Sequence, residues 1–305
     1  MAVVLRSRAT ASVRAMRVIG HRGTPTGPRH TENTLPAVVA ALEAGADGVE
    51  VDVRTTADGV LVLAHDPDLG RVLGTGVGTG PVVAETPSAA LRALRLPGGA
   101  HVSTLDEVLD LAADSRALVV AEVKAGLGAR RARTAVLLAD HLHGRRRRRP
   151  GADRVVPSSF DTVSARALAG CGTVGGAVIL EPWQEPRRMA GWARRCGLTE
   201  LHLSVEHVRR DPGLVADLHA TGMAVAAGIV DDPEESARLA RLGVDLLCTD
   251  AVARVGRRRG AVVPAGTASG RPAGAARGGR RRGPRRGRGE GLSAAQAGTR
   301  PSSSR

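Results

Sequence analysis

Short apolar segments alternate with longer amphipathic segments along residues 17–256 of this chain. The apolar segments are rich in Val, Ile and Leu and predict buried strands, whereas apolar residues spaced three or four apart predict helices. Predicted strands cover residues 17–23, 48–54, 60–65, 118–124, 154–160, 174–180, 200–205, 223–229 and 245–248. Predicted helices cover residues 33–44, 104–113, 130–143, 163–169, 187–196, 213–220 and 234–241. Residues 68–96 read as a Gly-rich irregular segment that becomes helical.

The order of these elements predicts an α/β fold. Ala57-Asp58-Gly59 is a turn signal, so residues 60–65 read as the return arm of a hairpin. Each of the eight other strands is followed by a helix or a shorter helical segment, which indicates a parallel sheet. Eight such units favour a closed TIM (β/α)8 barrel over an open sheet. A dinucleotide-binding fold is disfavoured because no GxGxxG motif follows the first strand.

The charge of the chain is concentrated in its last residues. The formal net charge is +14, and residues 257–305 contain 13 arginines and one acid, Glu290, a charge of +12. The rest of the chain therefore carries only +2. We expect an Arg/Gly-rich, disordered tail at 257–305, because it has too few large apolar residues to form a core. The predicted organisation is a disordered leader at 1–16, a barrel at 17–256 and this tail.

Composition excludes several classes of protein. The chain has no Tyr, one Phe and two Trp, which argues against the stacking platforms of single-strand nucleic-acid binders. Its three cysteines, Cys171, Cys196 and Cys248, are scattered, which argues against a disulfide framework or a thiolate zinc site and suits a reducing compartment. No apolar stretch approaches the roughly 20 residues of a membrane span. Residues 1–16 lack the apolar centre of a secretory signal, so we expect a cytoplasmic location.

Carboxylates at two predicted strand ends suggest a cation site. Glu50 and Asp52 alternate with valines, so both acids face the barrel mouth while the valines pack outward. Two inward acids repel each other unless a positive charge lies between them, and oxygen ligands suit Mg²⁺ or Ca²⁺. Glu122 and Lys124 share a face on another strand, which adds a third carboxylate and the only lysine of the chain. Lys124 could contact a phosphate, whereas a plain ion pair is the structural alternative.

Two histidines complete a set of residues suited to phosphodiester cleavage. His21 and Arg22 end the first predicted strand, and His65 ends the hairpin arm. A histidine can move protons near neutral pH, and a guanidinium suits phosphate oxygens. With three carboxylates and a cation, one histidine would activate the nucleophile and the other would protonate the leaving alkoxide.

Other polar residues have weaker assignments. Glu32 precedes the first predicted helix and Glu181 follows the end of a predicted strand, so both are candidates for substrate contact. Asn33 or Thr34 is predicted to cap that helix, and Asp250 to cap the turn after the last strand. His202 alternates on a strand without a partner in the sequence.

An ordered series of motifs resembles the glycerophosphodiester phosphodiesterase family. Each motif is common by itself, but the series over about residues 18–252 is specific. The motifs are His21-Arg22-Gly23, Glu32-Asn33-Thr34, residues 45–53, residues 55–59, His65-Asp66, residues 104–109, Glu122-Val123-Lys124, Ser159-Phe160, residues 243–245 and Thr249-Asp250. Residues 24–30 look like a small insertion, and the tail has no counterpart in the family pattern.

The resemblance implies a barrel hydrolase that splits glycerophosphodiesters into sn-glycerol 3-phosphate and an alcohol. It implies that a glycerol hydroxyl attacks first and that water opens the resulting cyclic phosphate. The implied roles are metal ligand for Glu50, Asp52 and Glu122, acid/base for His21 and His65, and phosphate contact for Arg22 and Lys124.

Two alternatives remain from the sequence. One is a phospholipase D-like or phosphoinositide-cleaving barrel, against which the full carboxylate set argues. The other is a non-catalytic barrel that binds polyanions, such as RNA or a membrane surface, through its basic tail.

Overall fold

A computed structural model describes residues 15–24, 31–128 and 131–256 of the chain. The predictions for the tail at 257–305, for nearly all of the leader and for most of the insertion-like segment fall outside these residues. The barrel prediction falls almost entirely inside them.

Eight parallel strands close into a barrel, which confirms the predicted fold. The described strands are β1 Arg17–Gly20, β2 Gly48–Thr55, β3 Leu61–Leu63, β4 Leu118–Val123, β5 Val155–Ser159, β6 Ala177–Leu180, β7 Glu200–Ser204, β8 Ala224–Gly228 and β9 Leu246–Thr249. The order around the barrel is β1-β2-β4-β5-β6-β7-β8-β9, and β9 pairs with β1. The hairpin arm β3 runs antiparallel to β2, as its turn signal predicted.

Helices follow the barrel strands and cover their outer faces. The described α-helices are α1 Leu35–Glu43, α2 Ser88–Ala93, α3 Leu105–Ser115, α4 Arg133–Arg148, α5 Thr162–Ala167, α6 Pro186–Arg195, α7 Val205–Arg210, α8 Leu214–Ala220, α9 Pro233–Arg241 and α10 Val252–Gly256. Short 3-10 helices lie at Val83–Glu85 and Pro97–Gly99. Across the described ranges, no helix is long and apolar enough to cross a membrane.

Local chemistry explains where several helices begin. Thr104 starts α3 with a capping box, in which its hydroxyl accepts from the Glu107 amide while the Glu107 carboxylate accepts from the Thr104 amide. The first helix begins at Leu35, two residues after the predicted start, because Asn33 adopts a positive φ of 57° and turns inward. Helix α7 was not predicted; the Ser204 hydroxyl caps it immediately after β7.

The alternation along each strand separates two apolar layers. Val49, Val51 and Val53 of β2 are fully buried between the barrel and its helices. The opposite faces of the strands fill the barrel interior, where Ile19, Val120, Val156, Leu246 and their neighbours form a second cluster. Above this cluster the inward positions become polar, so the apolar plug forms the floor of the site at the carboxyl ends of the strands.

The barrel wall is closely packed at Gly48. A methyl group at this position would overlap the Leu118 carbonyl, because β2 and β4 approach each other closely there. We expect Gly48→Ala to lower the free energy of unfolding by about 1–3 kcal/mol, the usual cost of overpacking. Chemical denaturation measures the change. Gly213→Ala is the control, since its new methyl group would make only ordinary contact, and an equal loss there would contradict this account.

Candidate active site

Three carboxylates meet at the carboxyl ends of two adjacent strands. Glu50 and Asp52 lie on β2 and Glu122 lies on β4, where the strand register pairs Asp52 with Glu122. One oxygen from each side chain lies within 4.8 Å of the others. The three residues are only 6%, 0% and 7% exposed, respectively. The inward direction predicted from the alternation with valines is therefore observed.

Burial and mutual repulsion shift the pKa values of these three carboxylates unequally. Burial raises the pKa of Glu50 well above its ordinary value, and the charges of Asp52 and Glu122 raise it further. Burial also raises the pKa of Glu122. Asp52 differs because the nearby cations Lys124 and Arg22 outweigh its burial and lower its pKa. The cluster therefore contains one stabilised carboxylate and two whose ionisation costs free energy in this arrangement.

Lys124 and Arg22 lie against the carboxylates. The Lys124 ammonium pairs with Glu122 and lies 2.9 Å from Asp52 Oδ1. Arg22 Nε lies 3.2 Å from Asp52 Oδ2, and the Arg22 amide donates to Glu50 Oε2 at 3.0 Å. Burial disfavours the ammonium, but Glu122 and Asp52 outweigh this effect and raise the pKa of Lys124. Both cations line the cavity, so either could turn toward a bound phosphate.

The carboxylate cluster fits a divalent cation. Glu50 Oε1 is buried and has no hydrogen-bond partner among the described residues. An unpartnered carboxylate oxygen in such a place costs free energy, and a cation would relieve that cost. The donors are all carboxylate oxygens, which Mg²⁺ and Ca²⁺ prefer. The arrangement suits a hard divalent ion held by Glu50, Asp52 and Glu122.

Each predicted catalytic histidine is oriented by an aspartate. His21 Nδ1 lies 2.8 Å from Asp250 Oδ1, and His65 Nδ1 lies 2.8 Å from Asp66 Oδ1. His21 Nε2 lies 3.9 Å from Glu50 Oε2, next to the carboxylate cluster. A carboxylate at Nδ1 favours the proton there and leaves Nε2 for proton exchange. For Asp250 the sequence indicated only a capping role, since barrel closure brings it to His21 from 229 positions away.

Asn33 fixes Asp52 with two hydrogen bonds. Its amide nitrogen donates to Asp52 Oδ2 at 2.7 Å, and its carbonyl oxygen accepts from the Asp52 amide at 2.9 Å. The sequence predicted that Asn33 or Thr34 caps the first helix. Thr34 is the N-cap of α1, although its side chain makes no cap bond, and the Ser103 hydroxyl accepts from the Leu35 amide.

Glu32 belongs to an ion-pair network at the edge of the site. It pairs with Arg22 at 3.0 Å and with Arg71 at 2.6 Å, and Arg71 also reaches Asp66. These cations outweigh burial and lower the pKa of Glu32. Arg71 therefore connects Asp66, which contacts His65, to Glu32, which contacts Arg22. No motif in the sequence marked Arg71, because its contacts join separate loops.

A cavity of about 360 Å³ joins these groups to an apolar wall. Its charged side contains both histidines, Arg22, Lys124 and the exposed edges of Glu50 and Glu122. The opposite side is formed by β6, β7 and β8 with the exposed Phe160 and Ile229 at the mouth. Glu181 and His202 also line it, so His202 has a place at the site that the sequence did not indicate.

The buried carboxylates should make the stability of the metal-free protein depend on pH. The raised pKa of Glu50 means that the folded state holds this proton more tightly than the unfolded state does. The resulting contribution to folding stability is complete below pH 4.5, the ordinary pKa of a glutamate, and is lost as the pH rises through the folded-state pKa of Glu50. In EDTA, we therefore expect Glu50→Gln to be more stable than wild type at pH 8, by about 1 kcal/mol or more, with a smaller difference at pH 5.

Urea unfolding at the two pH values measures this difference. Glu43→Gln, which removes one exposed carboxylate on α1, controls for the change in net charge. A Glu50→Gln variant that is less stable than wild type at pH 8 in EDTA would show that the ionised Glu50 carboxylate does not destabilise the folded state.

The chain is similar to known proteins in sequence and in structure. Residues 21–254 match the Glycerophosphoryl diester phosphodiesterase family. A glycerophosphodiester phosphodiesterase from Caldanaerobacter subterraneus is 30% identical over 245 residues, which cover 76% of this chain and 93% of the relative.

Solved structures share the barrel. The glycerophosphodiester phosphodiesterase of Thermotoga maritima matches with a TM-score of 0.64 at 24% identity, over 80% of this chain and 98% of that one. An Oleispira antarctica phosphodiesterase in complex with the product sn-glycerol-3-phosphate matches with a TM-score of 0.67 at 23% identity, over 81% and 98%. The motif series, the barrel and the family match agree, and the chain is a member of the glycerophosphodiester phosphodiesterase family of enzymes.

Proposed function

We propose that this enzyme hydrolyses glycerophosphodiesters to sn-glycerol 3-phosphate and an alcohol with a divalent cation, Mg²⁺ or Ca²⁺, and a pair of acid/base histidines. The observation that carries the proposal is the buried triad of Glu50, Asp52 and Glu122 beside His21 and His65. The product bound to the Oleispira antarctica relative supports sn-glycerol 3-phosphate as the product here.

The carboxylate triad would hold the cation. Glu50 has a buried oxygen without a hydrogen-bond partner in the described part of the chain, Asp52 is fixed by Asn33, and Glu122 lies opposite Asp52 in the strand register. When bound, a divalent cation supplies Lewis-acid stabilisation of the phosphate charge. Lys124 and Arg22 would then share their carboxylate partners with the cation and donate to phosphate oxygens.

The histidines would exchange protons through Nε2. Asp250 and Asp66 hold the two Nδ1 atoms, so each ring presents its other nitrogen to the cavity. One histidine would take the proton of the attacking glycerol hydroxyl as its oxygen bonds to phosphorus. The other would protonate the alkoxide as the bond from phosphorus to the alcohol oxygen breaks. Water then opens the cyclic phosphate with the two proton transfers reversed.

Two further carboxylates would help bind the substrate. Glu32 orients Arg22 through their ion pair, and Glu181 lines the cavity after β6. We propose that Glu181 contacts a substrate hydroxyl, and that Glu32 acts through Arg22.

The direct test is turnover of glycerophosphoethanolamine with coupled detection of sn-glycerol 3-phosphate. We expect activity that EDTA abolishes and that added Mg²⁺ or Ca²⁺ restores. His21→Ala and His65→Ala should each lower kcat by about 10²–10⁴-fold, the usual contribution of a general acid or base. Glu50→Ala should remove the response to added metal.

His219→Ala is the matched control, because this histidine also pairs with an aspartate, Asp245, at 2.8 Å but does not line the cavity. It should keep wild-type turnover. Metal-dependent turnover that survives both His21→Ala and His65→Ala would refute the acid/base assignment, whereas turnover insensitive to EDTA would refute the metal.

The basic tail provides the test of the non-catalytic alternative. We expect a chain truncated after residue 256 to keep full turnover, because every proposed site residue lies within the barrel. Weak, salt-dependent binding of polyanions would be lost with the tail's +12 charge. Turnover at low and high salt, with polyanion binding measured in parallel, separates the two roles. A truncated chain without turnover would contradict this division.

A cytoplasmic location stays part of the proposal. Its support is that Cys171, Cys196 and Cys248 are all free thiols, as a reducing compartment allows.

A further inference from the structure

A second cavity of about 250 Å³ lies beside the main one. The two cavities share Lys124, which lines both. The side cavity has apolar surface from Val82 and Leu127 and cations from Arg54 and Arg133, and none of these four lines the main cavity. Lys124, which we propose to contact the substrate phosphate, therefore stands between the two cavities.

Arg54 lies in this side cavity as a partly buried cation. It follows Asp52 by two positions on β2 and shares the inward face of Glu50 and Asp52. Its Nε and Nη2 atoms both donate to the His65 carbonyl, at 3.1 Å and 2.7 Å. Among the described residues it forms no ion pair with a carboxylate. Burial keeps the pKa of Arg54 below its ordinary value in spite of carboxylates at longer range.

Arg133 adds a second cation without a carboxylate partner among the described residues. It begins α4 and lines the side cavity. The contrast with Arg131, two positions earlier, is informative, because Arg131 pairs with Asp161. Of the described residues that line the side cavity, three are cations and one is an acid, the exposed Glu85. Lys124 is already paired with Glu122 and Asp52, so the unbalanced positive charge of this lining comes from Arg54 and Arg133.

We propose that the side cavity is a subsite for an anionic group carried by the alcohol of the substrate. This inference rests on the proposed function, since it places the phosphodiester at Lys124 with one arm in each cavity. Arg133 presents a guanidinium group, which suits carboxylate or phosphate oxygens in paired hydrogen bonds, and Arg54 adds positive charge while its Nε and Nη2 atoms hold the His65 carbonyl. The substrate class is then glycerophosphodiesters whose alcohol bears a carboxylate or a further phosphate.

The far wall of the main cavity is less suited to that anion. Ile179 and Leu203 make it largely apolar, and the Glu181 carboxylate would repel a negative charge. His202, the imidazole on this wall, pairs with Glu200 at 3.4 Å. The glycerol arm has no charge and can lie along this wall. The anionic arm therefore fits the side cavity.

Glycerophosphoserine and glycerophosphoethanolamine form the matched pair of substrates, because they differ only by a carboxylate. We expect the wild-type enzyme to show the higher kcat/KM for the serine diester. Arg133→Gln should lower the serine-to-ethanolamine ratio about fivefold, as expected for loss of one partly exposed charge contact, and should keep ethanolamine turnover. Arg131→Gln is the control, and it should leave the ratio unchanged.

A binding measurement separates recognition from turnover. In a His21→Ala background, calorimetry should give tighter binding of the serine diester, and Arg133→Gln or Arg54→Gln should remove that advantage. Arg54→Gln is also expected to slow both substrates, because Arg54 supports the His65 backbone.

The outcomes distinguish this inference from the proposed function. If wild type cleaves the ethanolamine diester but the ratio does not respond to Arg133→Gln and Arg54→Gln, the subsite is refuted and the function stands. If wild type cleaves neither diester, the proposed function itself fails. Inorganic phosphate is the probe for a free anion: binding that depends on Arg133 without any change in the ratio would overturn the substrate role.

Discussion

The repulsion among three buried carboxylates is the constraint around which this barrel is arranged. Strand register alone brings Asp52 and Glu122 side by side, with Glu50 one inward position below. Such a cluster is unfavourable unless positive charge and hydrogen-bond donors surround it. Lys124, Arg22 and the amide of Asn33 supply part of that compensation. Glu50 Oε1 has no hydrogen-bond partner among the residues that the structure describes, and this is where the proposed cation would complete the compensation.

Barrel closure supplies the contacts that make this cluster chemically useful. The pairing of β1 with β9 joins the two ends of the barrel domain, so His21 meets Asp250 beside Glu50. The hairpin arm β3 turns His65 back toward the mouth, where Asp66 and Arg71 connect it to Glu32. The rigid wall of valines and the apolar floor hold these loops at fixed distances. The same closure creates two cavities that meet at Lys124.

The sequence was most informative about the site where the direction of a side chain depends only on the strand that carries it. Alternation with valines predicted that Glu50 and Asp52 face inward, and the same periodicity applied to Glu122 and Lys124. The sequence was least informative where a role depends on a partner distant in sequence. Asn33 was predicted only as one of two possible caps of the first helix and Asp250 as the cap of a turn, because the partners that give them their roles are brought near only by folding. Arg71 and Arg54 carried no signal for the same reason. His202 was predicted to have no partner, but its Nε2 lies 3.4 Å from Glu200 Oε2 on the same strand.

The sequence by itself determined the eight-unit α/β pattern, the inward acids, the histidines at strand ends and, through its ordered motifs, the family. Those features are local because they follow from periodicity, strand ends and the spacing of short motifs. Tertiary structure alone decided which aspartate orients each histidine, which cations neutralise the carboxylates and which oxygen is left free. It also decided that two arginines, which have no carboxylate partner among the described residues, line a cavity beside Lys124. These outcomes depend on distances across the barrel mouth, which register and closure fix and which no single segment encodes.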